Sequence, residues 1–128
     1  MKEQQHHEEL VSGIHEQLKE VFDSSEQAVY LYLDDSHKAC NKRFATLLGY
    51  STPEKWAAED KSLIDVSVDE KSRDILVSAY KDAMEKCKGS QITVTWTRKD
   101  GGKVKTSVIM VPIGFSGHLF ALHFVAKV

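Results

Sequence analysis

Apolar residues recur at helical spacing in the otherwise polar opening segment of the chain. This stripe consists of Leu10, Val11, Ile14, Leu18, Val21 and Phe22. Steps of three and four residues place apolar side chains on one side of an α-helix, so we predict an amphipathic helix over residues 4–22. Two heptads are too few to hold a coiled coil alone. The helix must therefore bury its apolar side against its own domain, against a second copy, or against both.

The next segment predicts two short strands. Residues 28–33 are β-branched and aromatic enough for a strand, which the turn-forming residues 34–36 close, and residues 37–40 return beside it. In the first strand we expect Val29, Leu31 and Leu33 to face the core, and Tyr30 and Tyr32 to face outward.

Capping signals then predict a run of helices. Asn41 is placed to cap a helix that Gly49 ends, and Thr52-Pro53 begins a second short helix that carries Trp56. Asp69 opens a longer helix that keeps a helical period to about residue 88, and Gly89 stops it.

The last third of the chain alternates as three strands, over residues 92–96, 104–113 and 118–128. Residues 100–102 predict a tight hairpin, and residues 114–117 a looser one. Strands and helices are thus segregated along the chain. We predict an α+β fold with a five-stranded antiparallel sheet, helices on one face, and an amphipathic helix in front.

Four short motifs follow one another between residues 27 and 127. They are Cys40-Asn41-Lys42-Arg43-Phe44; Leu47-Leu48-Gly49-Tyr50-Ser51-Thr52-Pro53-Glu54; Leu63-Ile64 with Val68-Asp69; and Arg98-Lys99-Asp100-Gly101. In their order and spacing they resemble a PAS domain. The resemblance implies a sensory or protein-interaction role in signal transduction. We therefore divide the chain into a cap or dimerisation helix (1–25) and a PAS-like domain (26–128).

Composition narrows the classes of function. The chain has 128 residues, and its 17 Lys and Arg nearly balance 19 Asp and Glu, so nucleic acid is not an expected partner. No window approaches the roughly 20 apolar residues of a membrane span. Two cysteines form no disulfide framework. We expect one soluble, cytoplasmic domain.

Cofactor, metal and catalytic sites are not predicted. PAS relatives that react with flavin carry a cysteine just after the asparagine, whereas Cys40 precedes Asn41, and the long helix has no histidine for haem. His6 and His7 lack the spacing of a helical metal pair. His118 and His123 fall on opposite faces of a strand, and we take both as surface or interface residues. The Asp34-Asp35 pair is explained as turn chemistry.

The resemblance places a ligand pocket between the sheet and the long helix. Its candidate wall residues are Phe44, Leu48, Trp56, Ile75, Tyr80 and Trp96. Because these side chains are large, a filled core is favoured over an open cavity, and a small apolar or aromatic molecule is the expected class of any ligand.

The last strand is apolar on both faces, so its outer face needs a cover. We predict a homodimer built from the opening helices and the outer sheet faces. Its interface candidates are Val11, Ile14, Leu18, Val21, Tyr30, Tyr32, Leu119 and His123. The alternative is a monomer whose own helix covers the face.

The leading function is a sensor module that relays a signal to a partner protein or a fused output domain. An enzyme or ligand carrier on a similar curved frame stays open, and a buried carboxylate or histidine facing a wet cavity would favour it. A fragment of a histidine kinase or other receptor also stays open.

Overall fold

The computed structural model describes residues 2–59 and 61–128. Its helices are α1 (Lys2–Gln17), α2 (Lys19–Ser24), α3 (Lys42–Leu48), α4 (Pro53–Ala57), α5 (Leu63–Ser67) and α6 (Arg73–Lys86), and a 3₁₀ turn (Glu70–Ser72) precedes α6. Its strands are β1 (Ala28–Asp34), β2 (His37–Cys40), β3 (Ser90–Thr97), β4 (Lys103–Phe115) and β5 (His118–Lys127).

The five strands form one antiparallel sheet in the order β2-β1-β5-β4-β3. Helices α3, α4 and α6 pack on one face, which we call the inner face. Helix α1 contacts β1 and β2 from the opposite, outer face. The predicted α+β architecture with an opening helix is confirmed. The opening helix is interrupted at Leu18, where α1 gives way to α2.

Asn41 ties the inner helices to the sheet. Its Oδ1 accepts hydrogen bonds from the backbone amides of Phe44 and Val29, both at 3.0 Å, and its Nδ2 donates to the Gln27 carbonyl. One buried side chain therefore caps α3 and satisfies two backbone groups around the start of β1. The predicted caps at Asn41 and Thr52 are both present.

The long helix ends earlier than its glycine signal indicates. Lys86 is the last residue of α6, and Cys87 adopts the left-handed conformation with φ 51°. The prediction that Gly89 stops this helix is therefore wrong. The start is also refined, because Asp69 caps the 3₁₀ turn rather than α6 itself.

The two hairpins are the reverse of what we predicted. Phe115 pairs with His118, so only Ser116 and Gly117 connect β4 to β5, and both have positive φ angles. A two-residue turn with positive φ at both positions follows the right-handed twist of the strands. The hairpin at residues 100–102 is the looser one, because Thr97 pairs with Lys103 and residues 98–102 lie between them.

Two apolar clusters lie on the two faces of the sheet. The inner cluster includes Tyr30, Phe44, Trp56 and Trp96, and the outer cluster includes Val29, Leu31, Phe120 and Leu122 with Leu10 and Ile14 of α1. No helix among residues 2–59 and 61–128 has the length and hydropathy to cross a membrane.

Candidate functional site

Aromatic rings converge on Tyr30 at the centre of the inner face. The Tyr30 ring stacks on His123 with centroids 3.8 Å apart and planes 9° apart, and its other neighbour, Phe44, lies 4.5 Å away at 26°. Trp56 and Trp96 meet the Tyr30 ring edge-on, each at 5.7 Å. These are favourable aromatic geometries, and they fill the space between the sheet and its helices.

Strand register and one hydrogen-bond chain hold these rings in place. Tyr30 of β1 is the direct partner of His123 of β5 in the antiparallel ladder. Trp96 donates from Nε1 to Thr106 Oγ1 at 2.8 Å, and the Thr106 hydroxyl donates in turn to the Val94 carbonyl. The polar edge of Trp96 is therefore satisfied inside the core.

Burial holds both stacked groups in their neutral forms. Removal from water lowers the pKa of His123 to about 3 and raises the pKa of Tyr30 well above its usual value. His123 Nδ1 lies 3.1 Å from the Ala121 carbonyl, so Nδ1 carries the proton and donates it. The Tyr30 hydroxyl is fully buried and has no hydrogen-bond partner among the described residues.

Most of the predicted pocket residues lie in this inner region. Phe44, Leu48, Trp56 and Trp96 are buried in the inner cluster, and Tyr80 packs against it while its hydroxyl donates to the Leu33 carbonyl. Ile75 is 44% exposed, so its placement in the pocket wall is wrong. The inward positions of α6 are Leu76, Ala79 and Ala83.

Four residues that we predicted for the outer interface lie on the inner face, so their assignment is wrong. Tyr30 and His123 are buried in the inner layer, and Tyr32 packs there with its hydroxyl on Asp35 at 2.7 Å. Leu119 shares the parity of Ala121 and His123 along β5 and so belongs to the same inner face. Val29, Leu31 and Leu33 belong to the outer cluster, which reverses the facing predicted for β1.

The opening helix covers part of the outer face within a single chain. Ile14 is buried there, and Val11 and Leu18 pack at its border. Gly13 lies against the ring of Phe115, where a Cβ atom would come within 3.0 Å of the ring. Glycine therefore permits a close approach of α1 to the end of β4.

Part of the outer face is left uncovered. Ile109 and Val111 of β4 are 43% and 38% exposed, and Val21 of α2 is 39% exposed. Phe124 pairs with Ile109 and Leu122 pairs with Val111. We call Ile109 and Val111, with the half-buried Phe124 beside them, the β4 strip.

A polar cluster lies where α1 passes the β1–β2 turn. His37 Nδ1 is 2.7 Å from Asp34 Oδ1, and His7 Nδ1 is 3.6 Å from Asp34 Oδ2. The ring of His6 lies 5.1 Å from that of His118 nearby. This cluster could not be predicted from the sequence, because His7 is distant from Asp34 and His37 along the chain and only the packing of α1 brings it there.

No family model matches the sequence, and no curated protein does either. Solved structures do match. The PAS domain of an HTR-like protein from Haloarcula marismortui aligns over 97% of this chain and 99% of its own, with a TM-score of 0.63 and 16% identity. A PAS domain from Colwellia psychrerythraea aligns over 90% and 97%, with a TM-score of 0.68 and 21% identity. The protein has a PAS fold.

Light-oxygen-voltage proteins also share this PAS fold. The LOV protein of Rhodobacter sphaeroides aligns over 88% of this chain and 65% of its own, with a TM-score of 0.69 and 17% identity. A light-oxygen-voltage domain studied with a flavin analogue has a TM-score of 0.61, 17% identity, and coverage of 88% and 84%.

The inner face of this chain does not fit a flavin as it stands. No further ring can be inserted between the stacked rings of His123, Tyr30 and Phe44. Cys40 is buried at the end of β2, and desolvation raises the pKa of its thiol to about 12. A thiol with such a pKa is almost entirely protonated at neutral pH and is a poor nucleophile.

Proposed function

We propose that this chain is a cytoplasmic sensor and protein-interaction module in signal transduction, and that it works as a homodimer. In this proposal residues 1–25 form the cap and dimerisation segment, and residues 26–128 form the PAS-like sensor domain. The observation that carries the proposal is the division of the outer sheet face between the opening helix and the exposed β4 strip.

The β4 strip suits a second copy of the chain. Helix α1 covers β1, β2 and part of β5, so the apolar centre of β4 remains in solvent beside it. A contact around a two-fold axis would place the strip against its own counterpart, matching apolar surface with apolar surface. Val21 and the outer edges of Val11 and Leu18 would lie at the border of such a contact.

This arrangement gives the opening helix a part in signalling. A helix that borders both its own sheet and a second copy cannot shift without changing the dimer contact. We infer that a change in the position of α1 is the motion passed to a partner protein or a fused output domain. A PAS domain from a two-component sensor histidine kinase has the same fold, and this likeness supports the inference.

Oligomer mass tests the dimer directly. Val111→Lys and Ile109→Lys place a charge on exposed positions of the strip, and Thr93→Lys places the same charge on the exposed outer face of β3 as a matched control. In sedimentation equilibrium we expect dimers for the parent chain and for Thr93→Lys, and monomers for the two strip variants. A monomeric parent chain, or strip variants with unchanged mass, would contradict the proposal.

Small-molecule binding at the inner face is a second candidate function. The Tyr30 hydroxyl favours it, because a buried donor without a partner is costly unless something accepts its hydrogen bond. Because aromatic rings fill the inner layer, a bound molecule would have to displace one of them, and a small, mainly apolar or aromatic molecule with one hydrogen-bond acceptor would suit the Tyr30 hydroxyl. Native mass spectrometry of the purified chain, compared with Tyr30→Phe, tests it: retention of a ligand that the variant loses supports binding, and equal retention contradicts a role of the hydroxyl.

A further inference from the structure

We propose that His7, Asp34 and His37 bind a divalent transition-metal ion, for which Zn²⁺ is the best match, and that the ion ties α1 to the β1–β2 hairpin. One ligand atom from each of these residues lies within 4.8 Å of the others. This site is separate from both the inner ring cluster and the β4 strip, and it does not depend on the dimer.

The donor set favours zinc, and its atoms lie close to the spacing that zinc needs. Zinc bonds to imidazole nitrogen and carboxylate oxygen are about 2.0–2.2 Å long, so tetrahedral ligand atoms lie roughly 3.3 Å apart. His37 Nδ1 lies 2.7 Å from Asp34 Oδ1, and His7 Nδ1 lies 3.6 Å from Asp34 Oδ2, so each imidazole is next to a different oxygen of one carboxylate. All three ligand atoms lie within 4.8 Å of one another, and small side-chain movements would bring them to the spacing that zinc needs. Two imidazoles suit zinc and its neighbours in the transition series, whereas Mg²⁺ and Ca²⁺ prefer oxygen ligands throughout.

The hairpin holds two of the ligands before any ion arrives. The Ser36 backbone amide donates to Asp34 Oδ1 at 3.0 Å and fixes the orientation of the carboxylate. His37 is only 8% exposed and is held at the start of β2. The Asp34 side chain is 44% exposed, which leaves the fourth position open to water. Such oriented ligands lose little freedom on binding.

The third ligand comes from the opening helix. His7 lies on α1, and its ring is 5.4 Å from that of His37. An ion held by all three residues therefore joins two elements that otherwise meet mainly through apolar packing. Because the ion binds only when α1 is docked, its binding stabilises the docked position by mass action.

Isothermal titration of the chelator-treated full chain with ZnCl₂ tests the site. We expect one saturable site per chain and no comparable binding of MgCl₂. Loss of a group that only hydrogen-bonds to a metal ligand typically lowers metal affinity about 10- to 100-fold. Loss of a ligand itself, in His7→Ala or Asp34→Asn, should therefore lower the zinc affinity about tenfold or more. His15→Ala is the matched control, because His15 is on the same helix but packs on Phe22, and it should bind as the parent does.

Amide hydrogen exchange distinguishes metal binding by His7 from a merely structural role of that residue. Zinc should slow amide exchange across residues 7–17 in the parent chain and in His15→Ala, but not in His7→Ala. The proposal is overturned if the parent shows no saturable zinc site. It is also overturned if His7→Ala, folded by circular dichroism, binds zinc like the parent, or if affinity falls only in His6→Ala or His118→Ala. Dimer mass measured without zinc reports on the proposed function separately.

Discussion

His123 and Tyr30 face each other across the β1–β5 ladder with their rings 3.8 Å apart and nearly parallel. The stack places a titratable imidazole in the centre of the inner core, where no water reaches it. Its Nδ1–H group donates a hydrogen bond to the backbone carbonyl of Ala121, two residues away on the same strand. The imidazole therefore behaves as an aromatic core residue so long as it remains neutral.

This burial predicts a pH-dependent stability. The pKa of His123 is about 3 in the folded chain, against about 6.5 for an unperturbed histidine. Between these two pH values the His123 imidazole is protonated in the unfolded chain but neutral in the folded chain. The contribution of the neutral His123 side chain to the free energy of unfolding is thus complete above pH 6.5. It declines as the pH falls toward 3, by roughly 1.4 kcal/mol per pH unit.

Urea unfolding at pH 7 and pH 5 measures this effect against His123→Phe, which keeps an aromatic ring but cannot titrate. The parent should lose about 2 kcal/mol more than the variant between the two pH values. Equal losses in the two proteins would show that His123 is not a buried neutral group.

The Tyr30 hydroxyl predicts a substitution that does no harm. Because this buried hydroxyl has no partner among residues 2–59 and 61–128, Tyr30→Phe removes an unsatisfied polar group and keeps the ring contacts. We expect unchanged stability or a gain of up to about 1 kcal/mol.

Tyr80→Phe is the matched control for that substitution. The Tyr80 hydroxyl donates to the Leu33 carbonyl at 3.1 Å, so its removal should cost about 1 kcal/mol. Urea midpoints of the two variants make the comparison. A loss of more than about 1 kcal/mol in Tyr30→Phe would mean that the hydroxyl is satisfied in solution.

Asn41 predicts an unusually costly loss of a helix cap. Asn41→Ala leaves the amides of Phe44 and Val29 and the Gln27 carbonyl without their side-chain partner, so we expect a loss of about 2–4 kcal/mol. Thr52→Ala removes an exposed cap that accepts a single hydrogen bond and should cost about 1 kcal/mol.

Asn41→Asp separates the two roles of this side chain, because it keeps the acceptor oxygen and removes the donor to Gln27. Its urea midpoint should fall between those of the parent and Asn41→Ala. If Asn41→Ala cost no more than Thr52→Ala, the bridging role of Asn41 would be refuted.

Local chemistry made much of this fold predictable. The caps at Asn41 and Thr52 and the strand alternation depend on neighbours in the chain, and the structure confirms the helices and strands that they predict. The facing of β1 and β5 was not predictable in this way, since both faces of these strands are apolar. A one-residue change of parity exchanges the faces without altering the hydrophobic pattern.

The candidate sites also differ in whether they could be predicted from the sequence. The resemblance to PAS domains placed Phe44, Trp56 and Trp96 between the sheet and its helices, and all three lie in the inner cluster. The stack of Tyr30 on His123 required the strand register, and the cluster of His7 with Asp34 and His37 required the docking of α1. Each depends on contacts between segments that are far apart in the sequence.

The opening helix lies against the outer face of its own sheet, and both the dimer and the zinc site require this position. The contact of Gly13 with Phe115 is its most direct marker, because the Gly13 Cα and the Phe115 ring are close enough for a proton–proton Overhauser effect. This effect can be recorded on a mixture of labelled and unlabelled chains, with filtering that separates contacts within a chain from contacts between chains. We predict a Gly13 Hα to Phe115 ring signal within one chain; its absence, or its appearance only between chains, would contradict the account.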